Sequence, residues 1–236
     1  MSGALNDPDL VRREYADEAA LSARIAAQES ATGPDARQIV FEAVAEAFPR
    51  RVLDVGPGRG ELAERIAREL GAQVVAVDQS PRMVELTLAR GVEAIVGDVH
   101  DLPFHDGVFD CVVAAWMLYH SADLDRAVGE LRRVLRPEGR LVAATNSERT
   151  LSELWDLVGF APRYTFSAEN GEWPLLRHFT VVERRDVRGT ITFPDHEAAR
   201  RYVAASIAAR DLADDVPSFD GPLHASRHVV VFVCEP

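Results

Sequence analysis

Three glycines at alternate positions, Gly56, Gly58 and Gly60, separate an apolar run from an amphipathic segment in the stretch VLDVGPGRGELAERIA. Glycine has no Cβ, so a ligand could lie against bare backbone there and meet the N–H groups that open the following helix. Asp78 ends the next apolar run, 22 residues after Gly56, and its carboxylate could accept hydrogen bonds from both hydroxyls of a ribose. This spacing indicates a nucleoside site in the first turn of a strand–helix unit.

The same spacing argues against a ligand that is held through phosphates. A dinucleotide-binding turn has its third glycine three residues after the second, and Glu61 stands at that position. Its carboxylate would repel a pyrophosphate. No phosphate-binding loop of the Gly-Lys-Ser/Thr kind follows either. An oxidoreductase with a nicotinamide cofactor therefore stays an alternative, and a nucleoside without phosphates fits better.

Buried strands and amphipathic helices are needed to hold this turn. The strands are continuous runs of Val, Ala, Leu and Ile, which indicates burial on both faces and therefore a parallel sheet in a doubly wound α/β fold. The sequence predicts strands at 51–56, 73–78, 92–96, 108–116 and 139–145, and helices at 59–71, 80–90 and 123–136. Helices at 8–30 and 35–48 are expected before this alternation. After it we expect helices at 148–158, 168–178 and 195–210, strands from about 180 and at 228–234, and a surface loop at 211–226.

Composition narrows the possible partners. The chain of 236 residues carries a formal net charge of −12, so neither a nucleic acid nor an anionic membrane is expected as a partner. The two cysteines and the scattered histidines show no ligand spacing, and we expect no metal. The first residues lack the basic and apolar regions of a signal peptide, which favours a cytoplasmic location. Nothing in the composition sets the oligomeric state.

Over residues 50–147 the sequence resembles the class I S-adenosylmethionine-dependent methyltransferases. Their first motif, acid-x-Gly-x-Gly-x-Gly, is matched by Asp54 and the three glycines. Four further stretches follow in the family's order: DQSPRMVELT, IVGDVHDLPF, FDCVVAAWMLYH and LRRVLRPEGRLVAAT. Each alone is weakly specific, and the five together form a specific pattern. The resemblance implies a seven-stranded, mostly parallel sheet with helices on both faces and an antiparallel last strand at His228 to Cys234.

The resemblance also implies S-adenosylmethionine as the cofactor and S-adenosylhomocysteine as its product. The glycines would lie along the homocysteine part, with Asp54 near its amino group. Asp78 would bind the ribose, Met83 would pack on the adenine, and Asp98 would accept from the adenine amino group. The predicted cofactor residues are Asp54, Gly56, Gly58, Gly60, Asp78, Gln79, Met83, Asp98, Val99 and Trp116.

Three of these residues have a plainer alternative. Asp78 could simply cap the next helix, because acids are common at that position. Met83 could belong to the core, as methionines often do. Asp98 could be a turn residue before the LPF stretch. These alternatives stay open on the sequence.

Candidate residues for binding the methyl acceptor lie at the end of the stretch FDCVVAAWMLYH and in the N-terminal helix. Trp116 ends the predicted fourth strand, over the expected reaction centre, and Tyr119 follows it. Tyr15 lies in the N-terminal helix, where the resemblance implies a lid. His120 is a candidate general base, because an imidazole with a pKa of about 6.5 can take a proton near neutral pH. The alternatives are a core role for Trp116, a surface position for Tyr15 and a loop-holding role for His120.

The predicted function is that of an enzyme that moves a methyl group by in-line displacement. The chain lacks the Asn/Asp-Pro-Pro-Tyr, Pro-Cys and magnesium-binding patterns of other methyltransferases, which favours an oxygen, nitrogen or carbon atom of a small molecule as the acceptor. One domain is expected over 1–236, with a helical cap at 1–49, a cofactor half at 50–147 and a substrate half at 148–236. The alternatives are a nicotinamide-dependent oxidoreductase and a protein that binds S-adenosylmethionine without catalysis.

Overall fold

A computed structural model describes Asn6, Val11, Ile25, Ala26 and residues 30–236. Most of the predicted helix at 8–30, including Tyr15, lies outside these described residues. Within the described residues, none of the helices combines the length and the apolar character that are needed to cross a membrane.

The strands form one seven-stranded mixed sheet, as predicted. They are β1 (Arg51–Val55), β2 (Gln73–Asp78), β3 (Glu93–Val96), β4 (Phe109–Ala115), β5 (Leu135–Asn146), β6 (Val181–Phe193) and β7 (Leu223–Glu235). Their order is β3-β2-β1-β4-β5-β7-β6. The pairs among β1 to β5 are parallel, and β7 is antiparallel to both of its neighbours, β5 and β6. The predicted antiparallel last strand is therefore confirmed.

Helices cover both faces of this sheet. They are α1 (Ala36–Ala45), α2 (Glu61–Leu70), α3 (Pro81–Ala89), α4 (Leu124–Val134), α5 (Ser152–Leu157), α6 (Glu172–Leu176) and α7 (His196–Ala204). Successive side chains of a strand point to opposite faces, so each strand contributes to two cores. In β1, Val52 packs in the core that contains α1, α2 and α3, whereas Leu53 and Val55 pack in the core that contains α4 and α6.

A third, smaller core lies at the β6–β7 end of the sheet. It includes Leu154 of α5, Val203 of α7 and Val216 of the connection that leads to β7. The surface loop predicted at 211–226 is therefore wrong in part, because Val216 is buried and β7 begins at Leu223. The turn-forming residues of this stretch are typical of a surface loop, and the sequence therefore does not indicate that its few apolar side chains face inward.

Candidate active site

A cavity of about 830 Å³ lies at the edge of the sheet where β1, β2, β4 and β5 end. Val55, Val77, Ala115 and Asn146, one from each of these strands, line it. Ligands of open α/β sheets bind at this edge, where the strand order reverses. Another cavity, of about 960 Å³, lies at the opposite edge. None of the predicted site residues that the structure describes lines that second cavity.

The glycine turn between β1 and α2 has a left-handed backbone. The φ angles of Gly56, Gly58 and Gly60 are +68°, +57° and +77°, a region that residues with a Cβ rarely adopt. A Cβ on Gly56 would also stand 2.7 Å from the Cβ of Met117, and one on Gly60 would stand 2.8 Å from the Oγ1 of Thr87. The packing of the protein itself therefore excludes side chains at these two positions. Gly56 and Gly58 line the cavity, but Gly60 does not.

Asp54 is a buried carboxylate with one unpartnered oxygen. The residue is 2% exposed, and its Oδ2 has no hydrogen-bond partner in the described part of the chain. Burial, followed by repulsion from Asp78, raises the pKa of Asp54 to about 7. Buried polar atoms nearly always have a partner. This oxygen, in a residue of the cavity wall, therefore fits a ligand that is cationic or donates a hydrogen bond.

Asp78 lines the same cavity from the end of β2. Its carboxylate accepts hydrogen bonds from the backbone N–H of Ser80, at 2.9 Å, and from that of Gly58. Burial raises the pKa of Asp78 to about 6, against the effect of these two N–H groups. The helix-cap alternative is wrong, because Ser80 is the N-cap of α3. Asp78 instead ties the glycine turn to the end of β2.

Gln79 and Met83, which follow Asp78, take different positions. Gln79 is exposed and lines the cavity. Met83 is fully buried and is not part of the cavity wall. Met83, like Val84 and Thr87, is one of the buried residues of α3, and its packing on the adenine stays a prediction.

Asp98 is held by His100 in the turn after β3. Its Oδ1 accepts from the backbone N–H of His100 at 2.9 Å and lies 2.6 Å from the ring Nδ1. The other ring nitrogen lies 2.7 Å from the Oγ of Ser121. Burial raises the pKa of Asp98, but the contacts with His100 outweigh it and keep this pKa below its ordinary value. Asp98, Val99 and His100 all line the cavity, and no motif indicates His100.

Trp116 has a left-handed backbone at the end of β4, with φ +56°. Its N–H donates to the carbonyl oxygen of Ala144 at 2.7 Å. A conformation of this kind costs ~1–3 kcal/mol in a residue with a Cβ and is often found at ligand sites. The turn places Trp116 and Met117 on the cavity wall and brings Met117 over Gly56.

Tyr119 and His120 line the cavity from a 3₁₀ turn at Leu118–His120. Their ring centroids lie 4.4 Å apart, and the ring of Tyr164 lies 5.6 Å from that of Tyr119. The structure thus brings Tyr119 and His120 to the wall that also carries Trp116. The base role of His120 stays a prediction.

Glu61 stands among arginines at the start of α2. Its carboxylate lies 3.4 Å from Arg90, 3.7 Å from Arg59 and 3.8 Å from Arg37. These guanidinium groups compensate its charge, so the repulsion expected against a pyrophosphate is weaker than the sequence alone indicates. The unpartnered Asp54 oxygen is a stronger argument against an anionic ligand than Glu61.

The far side of the cavity is formed by residues that no motif indicates. They are Asn146 at the end of β5, Tyr202 of α7, and Arg227 and Val229 of β7. Arg227 is only 6% exposed. Among the described residues, no group of three His, Cys, Asp or Glu side chains could hold a metal ion.

Known proteins show the same sequence pattern over part of their length. Residues 53–143 match the family described as a methyltransferase domain. A demethylmenaquinone methyltransferase of Thermus thermophilus is 41% identical over 113 residues, which are 45% of this chain and 51% of that protein. An uncharacterised methyltransferase of Mycobacterium tuberculosis is 40% identical over 150 residues, 61% of this chain and 59% of that protein. The chain thus spans about half the length of the demethylmenaquinone methyltransferases that it matches.

A solved structure shows the same fold. Phosphoethanolamine N-methyltransferase 2 of Haemonchus contortus, in complex with phosphomonomethylethanolamine and S-adenosylhomocysteine, has a TM-score of 0.63. It is 17% identical and covers 97% of this chain and 60% of that one. The strand order, the glycine turn and the acids beside it are those of a Rossmann-like fold with a ligand site at the carboxyl edge of its sheet. Residues 53–143 are thus similar in sequence to methyltransferase domains, and the sheet has the fold of a solved methyltransferase.

Proposed function

We propose that the protein transfers a methyl group from S-adenosylmethionine to an oxygen, nitrogen or carbon atom of a small molecule. The observation that carries this proposal is the buried Oδ2 of Asp54, which has no partner among the described residues, in a residue that lines the cavity. The bound cofactor would supply a methyl group on a sulfonium, beside an ammonium. A cation beside Asp54 would offset the effects of burial and repulsion that raise its pKa. The pyrophosphate of a nicotinamide dinucleotide would instead add a negative charge to this site.

Three acids and one glycine of the cavity wall each have a separate task in this proposal. Asp54 accepts a hydrogen bond from the ammonium, and Asp78 accepts from the ribose hydroxyls. Asp98, which His100 holds in place, accepts from the adenine amino group. The bare backbone of Gly58, which also lines the cavity, allows close approach of the homocysteine part.

The protein's contribution to the transfer is positioning. An in-line displacement requires the acceptor atom to lie opposite the leaving sulfur, and such alignment is worth ~7–11 kcal/mol. Trp116, Met117 and Tyr119 form a largely apolar wall that would exclude water from this place. The name of the Thermus thermophilus relative indicates a quinone-type acceptor for that protein, which supports a small molecule as the acceptor here.

For His120 we propose a positioning role, with its ring packed against Tyr119 at 4.4 Å. His120→Ala should then lower kcat by less than about tenfold and leave the pH–rate profile unchanged in form. A loss of ~10²–10⁴-fold together with loss of the acid limb would instead assign His120 as the general base.

Titration calorimetry with S-adenosylhomocysteine and NAD tests the cofactor. S-adenosylhomocysteine at ~100 times its Kd should add ~2.7 kcal/mol to the free energy of unfolding, which corresponds to a rise of ~5–11 °C in Tm for a chain of this length. Micromolar binding of NAD, or no rise in Tm with millimolar S-adenosylhomocysteine, would contradict the proposal.

Turnover separates an enzyme from a protein that only binds the cofactor. Release of S-adenosylhomocysteine from S-adenosylmethionine should be measured against a library of phenols, amines and activated carbon acids. Release that depends on one class of acceptor is the expected result. Tight cofactor binding without release in any member of the library would favour the non-catalytic alternative.

A further inference from the structure

Arg227 is a buried guanidinium on the wall of the cavity. The residue is 6% exposed and lines the cavity from β7. Its Nη2 donates to the carbonyl oxygens of Pro34, at 2.5 Å, and Thr32, at 3.3 Å. Its Nε has no hydrogen-bond partner in residues 30–236 or at the other described positions. A buried cation with an unused donor needs a partner that these residues do not supply.

The other arginines of the cavity wall differ in this respect. Arg37 and Arg59 both lie within 4 Å of the carboxylate of Glu61, at 3.8 Å and 3.7 Å. Arg227 has no carboxylate within that distance among the residues that the structure describes. The charge of Arg227 thus has no carboxylate partner in the described part of the chain, whereas Arg37 and Arg59 share the carboxylate of Glu61.

The guanidinium is fixed by a tight backbone contact. Thr32 donates its N–H to the carbonyl oxygen of Thr190 in β6 at 2.8 Å. A Cβ on Gly189 would stand 2.0 Å from the carbonyl oxygen of Thr32, and one on Gly33 would stand 2.6 Å from that of Arg188. The segment 32–34 therefore lies directly on β6, and its carbonyl groups hold Arg227 in a set position. Recognition of a flat anion by a guanidinium requires such fixed geometry.

Arg227 lies on the side of the cavity away from the predicted cofactor acids. In the sheet, β7 is three places from β1, or about 14 Å at the usual strand spacing. Val229, which follows on the same face of β7, pairs with Asn146 at the end of β5. This arrangement leaves Asp54 and Asp78 to the cofactor and Arg227 to the acceptor.

We infer that Arg227 binds a carboxylate of the methyl acceptor, so that the substrate is a carboxylic acid with an apolar body. This inference rests on the proposed function. Because Nη2 already donates to Pro34 and Thr32, a carboxylate would accept from the remaining N–H groups of the guanidinium and gain charge-assisted hydrogen bonds from them. A phosphate dianion fits less well, because Asp54, Asp78 and Asp98 make the remainder of the wall acidic. The apolar body would lie against Trp116 and Val229.

Matched pairs of acids and amides test this inference. The protein is saturated with S-adenosylhomocysteine and titrated with benzoate, 4-hydroxybenzoate, indole-3-acetate and octanoate, and with the primary amide of each. At least one acid should bind ~10–100-fold more tightly than its amide, as charge-assisted hydrogen bonds predict. Equal binding of acid and amide in every pair would overturn the inference. Tighter binding of phenyl phosphate than of any acid would overturn the choice of a carboxylate.

Variants identify the residue responsible. Arg227→Gln should abolish the preference for the acid and leave the Kd of S-adenosylhomocysteine within about twofold, since charge-assisted bonds to one ligand alone are lost. Arg227→Lys, which keeps the charge, should retain part of the preference even if the Gln variant does not fold. Arg37→Gln is the matched control, because Arg37 is already paired, and it should retain the full preference.

Two results would contradict the assignment of Arg227 in different ways. A preference that survives in Arg227→Gln would place the anion elsewhere. A loss of S-adenosylhomocysteine affinity without a change in acid preference would show that Arg227 holds the carboxylate of the cofactor. Failure of the unaltered protein to bind S-adenosylhomocysteine would overturn the proposed function itself, and the inference with it.

Discussion

Replacing Asp54 with asparagine should stabilise the protein above pH 7 and at the same time weaken its binding of S-adenosylhomocysteine. Burial and the neighbouring Asp78 raise the pKa of Asp54 from an ordinary 3.8 to about 7. The folded protein therefore binds this proton more tightly than the unfolded chain does. Stability from this group is complete below pH 4, falls as the pH rises, and is lost above pH 7.

The size of the effect follows from the pKa change. A rise from 3.8 to about 7 corresponds to a cost of ~4 kcal/mol at pH 8, at ~1.4 kcal/mol for each pH unit. The asparagine side chain of the variant would carry no charge, but its unpaired amide would cost ~1–3 kcal/mol. The net gain is then ~1–3 kcal/mol at pH 8, or ~2–12 °C in Tm. At pH 5 the cost has fallen to ~1.7 kcal/mol, because the carboxyl group of the folded protein is protonated and only the unfolded chain is ionised. This is about the cost of the amide, so the gain should vanish there.

Thermal unfolding between pH 5 and pH 8.5, followed by circular dichroism, measures this effect. The comparison variant is Asp78→Asn, because Asp78 accepts hydrogen bonds from Ser80 and Gly58 that an amide oxygen can accept only in a weaker, uncharged form. The pKa of Asp78 is raised less, to about 6, so that variant should show a smaller gain at pH 8 than Asp54→Asn. If Asp54→Asn instead melts below the wild type at pH 8, by the same number of degrees as at pH 5, then burial of a charged Asp54 does not destabilise the protein.

Three further changes test the site. Asp78→Ala should weaken the binding of S-adenosylhomocysteine at least ~10-fold, since hydrogen bonds to a charged group are worth ~1.5–3 kcal/mol each. A wild-type Kd in calorimetry would show that Asp78 does not bind the cofactor. Gly56→Ala should lower the free energy of unfolding in urea by ~1–3 kcal/mol, because a Cβ strains a left-handed backbone and this Cβ would lie 2.7 Å from Met117. An unchanged free energy of unfolding would show that the turn can rearrange. Gly189→Ala, whose Cβ would meet Thr32 at 2.0 Å, should displace the segment that holds Arg227 and reduce acid binding more than cofactor binding, and an equal loss of both would indicate general disruption.

The parallel half of the fold could be predicted because its signals are local. β2 matches its predicted range, 73–78, because Gly71 and the Ser80-Pro81 pair mark its two ends. Asp54 and Asp78 are indicated by their distance from the glycines, since the first strand–helix unit brings these positions to one edge. Short-range patterns of this kind require no knowledge of the remainder of the chain.

The substrate side depends on contacts between distant segments. Arg227 receives its neighbours from the segment 32–34 and from β6, and nothing beside it in the sequence indicates that arrangement. The burial of Met83 cannot be predicted from its motif either, because the motif does not indicate which side of α3 faces the core. The left-handed Trp116 is a further case, since its conformation depends on the fit of the turn over Gly56.

The place of β7 in the sheet has a consequence for how the chain folds during synthesis. β7 follows both of its neighbours in the sequence, yet it lies between them, so that Leu141 of β5 pairs with Cys234 and Val182 of β6 pairs with the same residue. Until β7 leaves the ribosome, β5 and β6 each present an unpaired edge, and such edges promote association between chains. A pause in translation before residue 223 would therefore leave the edges of β5 and β6 unpaired and prone to association with other chains, whereas β1 to β4 could already pair with one another.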